Sequence, residues 1–180
     1  ARTAPLAGNT IGTDRAFYLY KRDDLLHFLR THPWHQTYAI AHHAQFDMAI
    51  LSWRCGIVPA FIGDTLSMGR ATFPNESVSL ARLAKLLGVG EKGIELANFQ
   101  GKWSLTDAEQ QVLGSYCCND VELTSGIFDA LKGHFPIDEL KLIDWTVKAF
   151  AEPVLTVDRA PLIQAYKAER RRKRALLKQC

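Results

Sequence analysis

The sequence predicts an α/β fold with a helical C-terminal half. Short apolar strand candidates alternate with helical patterns up to about residue 65, and helical patterns dominate beyond residue 105. A length of 180 residues suits one core with a small appendage. We expect residues 1–151 to form the domain and residues 152–180 a junction with its helix, because Pro153 breaks the preceding pattern.

Residues 1–13 carry Gly, Pro, Thr and Asn without periodicity and read as loop. Residues 16–20 (AFYLY) are an aromatic strand candidate, followed by a short helix over 23–30 whose first turn is acidic. Residues 37–41 (TYAIA) read as a buried strand, residues 46–55 as a helix closed by Gly56, and residues 60–63 as a third strand. An amphipathic helix over 79–87 stops at Gly88, and residues 88–104 read as a loop containing Gly and Lys. A long helix follows over 106–131, then helices over 140–151 and 160–178.

Composition narrows the class. Hydrophobic residues at 47% and charged residues at 23% are ordinary for a globular protein, and no apolar run approaches a membrane span. The four cysteines, Cys55, Cys117, Cys118 and Cys180, have neither a disulfide framework nor zinc-ligand spacing, so a cytosolic setting is expected. A net charge of +3 does not argue for nucleic acid by itself. Lys167, Arg170, Arg171, Arg172, Lys173, Arg174 and Lys178 crowd the C-terminal helix; such a run is ordinarily a solvated face, with phosphate contact as the alternative. The chain begins without Met and ends inside a helical pattern, which reads as a fragment.

The most informative residue is Asp120. At about 100° per residue, Val112, Leu113, Tyr116, Leu123, Ile127 and Leu131 fall on one stripe with Asp120 among them. Gln111, Glu122, Ser125 and Asp129 occupy the opposite face. The helix opens with a capping box, Thr106-x-x-Glu109, which secures its reading. A carboxylate turned toward a core needs a cation or several donors. Tyr116, one turn earlier, places a phenol beside it.

A second element lies at the strand–turn–helix of residues 37–55. It puts His43 and Asp47 near the carboxyl end of a strand, where open α/β sheets bind ligands. Taken alone, Asp47 in a first turn simply complements the helix dipole. His42 and His43 are neighbours at a strand end, so they face opposite ways and do not chelate one metal together. Asp64 follows a strand and reads as turn chemistry, with approach to the site as the alternative.

The string Ala41-His42-His43-Ala44-Gln45-Phe46-Asp47 closely resembles the second exonuclease motif, H-N-A-x-F-D, of the proofreading domains of bacteriophage-type family A DNA polymerases. Tyr116-Cys117-Cys118-Asn119-Asp120 resembles the third motif, Y-x-x-x-D, of the tyrosine subclass. Ser79 through Gly88 is similar to the helix these domains carry between the two motifs, and Phe135 through Phe150 to their exit toward the polymerase. The resemblance spans roughly residues 15–178.

It implies a ribonuclease H-like exonuclease fold, a mixed sheet flanked by helices, lacking its first strand or strands here. It implies 3′-5′ hydrolysis of the terminal phosphodiester of a single-stranded DNA 3′ end, with two ions, Mg²⁺ or Mn²⁺, and a polymerase domain in the same parent chain of a phage or bacterial host. By the same resemblance Asp120 and Asp47 are metal ligands and catalytic, and Tyr116 orients the attacking water. His43 contacts the substrate strand. Phe46 is the candidate for base stacking, against simple core packing as its ordinary role. His43 departs from the family's Asn. The family's opening Asp-x-Glu has no counterpart in residues 1–40; the one such string is Asp120-Val121-Glu122. This fragment alone is therefore expected to be inactive. The alternative reading is non-enzymatic: an incomplete exonuclease-like domain that binds single-stranded DNA or supports a polymerase structurally.

Overall fold

The computed structural model describes residues 10–12, 16–93, 99, 101–102 and 104–178. Expectations for residues 1–9 and 13, for Cys180 and for most of the loop at 94–103 lie outside the described residues.

Two small sheets organise the described residues. Strands β1 (Thr10–Gly12) and β2 (Phe17–Leu19) pair antiparallel, with Ile11 opposite Tyr18. Strands β3 (Tyr38–Ala41) and β4 (Phe61–Asp64) pair in parallel, with Ala41 opposite Asp64. The sequence reading of residues 1–13 as loop is corrected at β1. Three residues are too few to show a period, and pairing with β2 holds them extended.

The parallel pair is covered on both faces. Helix α2 (Ala44–Cys55) and helix α6 (Ile137–Ala151) bury Ala44, Met48, Val147 and Ala151 against Ile62, with Ala39 and Ala41 beside them. On the other face, α3 (Thr65–Thr72), α4 (Leu80–Leu86) and α5 (Asp107–Leu131) enclose Met68, Leu83, Leu123, Ile127 and Leu131, with Ile40 against them. Ala39, Ile40 and Ala41 thus alternate between two cores, as strand geometry requires. The outer edge of β4 is closed by buried Asp144, whose Oδ1 accepts the Ile62 N–H at 2.8 Å and pairs with Lys148 at 2.9 Å. That arrangement satisfies an edge donor that burial would otherwise penalise.

Helix α5 reaches both sheets, touching β1, β2 and β3. Its capping box is present: Glu109 N–H donates to Thr106 Oγ1 at 3.3 Å, and Thr106 N–H donates to Glu109 Oε2 at 2.9 Å. Helix α3 was not expected. Its start depends on Asp64, and Gly69 lies so close to Leu83 that an added Cβ would come within 2.6 Å of Leu83 Cδ1. Helix α6 also begins earlier than expected, behind Pro136. Helix α1 (Arg22–Thr31) packs on β2, and helix α7 (Arg159–Leu177) has no buried residue. No described helix is long and apolar enough to cross a membrane.

Candidate active site

The carboxyl ends of β3 and β4 deliver the site. His43 follows β3 with φ 70° and ψ 52°, the left-handed region, and starts α2. Asn enters that region with several-fold enrichment, so Asn and His share this backbone position on steric grounds. Buried Asp64 fastens the turn: its Oδ1 accepts the N–H groups of His43 at 2.8 Å, Ala44 at 3.2 Å and Leu66 at 3.2 Å. Its Oδ2 accepts the Ser67 hydroxyl at 2.7 Å. One carboxylate therefore caps two helix N-termini, α2 and α3, and its lone pairs are spent on the scaffold.

His42 is half-buried, and its Nδ1 lies 2.9 Å from Thr65 Oγ1. Burial lowers the His42 pKa; the Asp64 charge opposes this, Lys92 and His43 add to it, and Asp120 opposes it. His43 is exposed, so the two imidazoles differ in surroundings. Asp47 reaches the surface, yet its carboxyl is crowded enough that desolvation raises its pKa. Its own backbone N–H and His43 pull it down, and Asp64 pushes it up. Phe46 is 65% exposed. That exposure removes core packing as its role.

On α5, Tyr116 is buried and Asp120 is partly exposed. Asp120 Oδ1 is buried without a hydrogen-bond partner, while Oδ2 receives the Lys92 ammonium at 2.8 Å. Lys92 Nζ also sits 5.2 Å from the centre of the Tyr116 ring. Desolvation lowers the Lys92 pKa, but hydrogen bonds to Asp120 and Tyr116 outweigh it and hold the amine above its ordinary value. The demand for a cation at Asp120 was legible in the sequence; Lys92 as its supplier was not. Val112, placed in the core by the helix projection, is 46% exposed. It lines a groove of about 400 Å³ with Gly93, Gln111, Ser115, Tyr116 and Asn119.

Asp47 is linked electrostatically to His43 and Asp64, and His42 to Asp64, Lys92, His43 and Asp120. Through His42, the second motif thus comes close to Asp120 of the third. Among the described residues, no group of three or more His, Cys, Asp or Glu side chains is arranged to hold a metal ion.

The family model described as 3′-5′ exonuclease matches residues 19–135, from the end of β2 to just past α5. The chain belongs to the 3′-5′ exonuclease family. This membership is consistent with a proofreading domain of a family A DNA polymerase. It brings 3′-5′ exonuclease activity in general, hydrolysis and a nucleic acid substrate. Exonucleases of this family typically use divalent metals. Searches of curated proteins and of solved structures each find no significant match.

Proposed function

We propose that these residues form the proofreading exonuclease of a DNA polymerase, which removes nucleotides from a single-stranded DNA 3′ end with two divalent ions, Mg²⁺ or Mn²⁺. The observation that carries this reading is the buried, partnerless Asp120 Oδ1 on a carboxylate already paired with a cation, inside the matched family region. Carboxylate oxygens suit hard cations better than His or Cys would. Among the described residues of the two motifs, Asp120 and Asp47 are the candidate ligands, since Asp64 is committed to backbone N–H groups. They fit in donor type and fall short in number for two ions.

Sheet architecture suggests where the rest comes from. Helix α5 spans the β1–β2 hairpin and β3, yet neither strand of the hairpin shares a ladder with β3 among the described residues. A ribonuclease H-like sheet has a central strand between these neighbours, and an Asp-x-Glu strand seated there would supply the further carboxylates and pair both edges.

When bound, such ions supply Lewis-acid stabilisation and an activated water. The residues of this chain do the rest. Tyr116, one helical turn from Asp120, directs its phenol to orient the attacking water. Phe46 offers an exposed ring for a terminal base to stack on, and His43 offers an imidazole to the substrate strand. Residues 152–180 form the junction into the polymerase domain, which accords with α7 having no buried residue.

The test is digestion of a 5′-labelled single strand by the intact natural polypeptide in Mg²⁺, with a chelator control. Stepwise shortening from the 3′ end is expected, and it should stop on chelation. Binding without cleavage would instead favour the non-enzymatic module.

A further inference from the structure

Residues 89–92 run along one side of α5, against its direction. Val89 packs at Gly126, Gly90 at Leu123, and Glu91 O accepts from Asn119 Nδ2 at 3.1 Å. Lys92 Nζ then ends 2.8 Å from Asp120 Oδ2. The steps along α5 follow the three- and four-residue spacing of one helix face. The fit depends on small residues. A Cβ at Gly126 would collide with Val89 Cγ1, and one at Gly90 would come within 2.9 Å of Leu123 Cδ2. Lys92 is therefore delivered to Asp120 by a closely packed backbone. Its side chain is 27% exposed and that of Asp120 25%.

The two Asp120 oxygens are unequal. Oδ1 is buried without a partner, and Oδ2 is capped by the ammonium. An ammonium and a divalent ion carry the same sign and are drawn to the same carboxylate, so they compete for Asp120. We propose that Lys92 is a positioning residue of this carboxylate: it holds Asp120 in place while no divalent ion is present, and a divalent ion binds Asp120 by displacing it. This rests on the reading of Asp120 as a metal carboxylate. Lys92 keeps that carboxylate compensated between metal-bound states, at the expense of metal affinity.

The test is calorimetric titration of Mn²⁺ into the intact polypeptide without DNA, for wild type, Lys92→Met, Lys92→Arg and Asp120→Asn. Lys92→Met should bind Mn²⁺ about tenfold more tightly, since a competing half-buried cation is gone. Lys92→Arg keeps the charge, and its fork can engage both carboxylate oxygens, so it should bind Mn²⁺ no more tightly than wild type, and Asp120→Asn should lose binding. Unchanged or weaker binding by Lys92→Met, with Asp120→Asn still defective, overturns the role of Lys92 and leaves that of Asp120 intact. Wild-type binding by Asp120→Asn overturns the underlying reading as well. If Lys92→Met folds poorly, Lys92→Gln is compared through the rise in thermal midpoint that Mn²⁺ produces. A larger rise than in wild type supports the proposal, and an equal or smaller one overturns it.

Discussion

Gly126 lies directly beneath Val89, so close that any Cβ at residue 126 would overlap Val89 Cγ1. The contact fixes where the loop after α4 crosses α5. Gly126→Val should overpack this seam and cost about 1–3 kcal/mol in denaturant unfolding. A change within about 0.5 kcal/mol, the range of ordinary surface substitutions, would show that the seam is loose.

Asp64 and Asp47 should separate cleanly. Asp64→Ala strands the N–H groups of His43, Ala44 and Leu66 at two helix starts and should cost at least about 2 kcal/mol. Asp47→Ala removes an exposed side chain and should stay within about 0.5 kcal/mol. Equal losses in chemical denaturation would mean that Asp64 is no scaffold residue.

Acid should weaken the start of α5. Hydrogen bonds from Lys102 and from Thr106 lower the Glu109 carboxyl from 4.5 to about 2. The stabilisation is therefore complete above the ordinary carboxylate pKa and is lost as pH falls from about 4.5 toward 2. Urea midpoints across that interval should drop less steeply for Glu109→Gln than for wild type. Parallel slopes would contradict the capping-box account.

Much of this was legible in the sequence because its signals are local. The capping box at Thr106 and Glu109, the Gly56 stop of α2 and the strand beginning near Tyr38 are all present. What escaped depends on tertiary partners. Residues 65–72 contain Thr, Ser and Gly, poor helix formers, and become helical through the Asp64 cap and the packing of Met68 and Gly69. Val112 shares a helix face with Leu123 but lines a groove, because the first turns of α5 meet β2 through Tyr18 and Gln110 instead. Lys92 stands in a segment without periodicity, and only the fold brings it to Asp120.

Phe46 tests the substrate side. At 65% exposure its removal should leave stability within about 0.5 kcal/mol. If a base stacks on it, Phe46→Ala should weaken single-strand binding by about 1–3 kcal/mol, roughly 5- to 150-fold, measured by fluorescence anisotropy. Unaltered affinity would remove Phe46 from the nucleic-acid surface.

The most direct measurement is the turnover rate of 3′-terminal nucleotide release by the intact polypeptide in Mg²⁺, compared among wild type, Asp120→Ala, Asp47→Ala and Tyr116→Phe. Circular dichroism confirms that each variant is folded. Each Asp variant should lose at least about a hundredfold, while Tyr116→Phe loses less, because the carboxylates that hold the ions remain. Folded Asp120→Ala protein turning over at the wild-type rate would contradict the account.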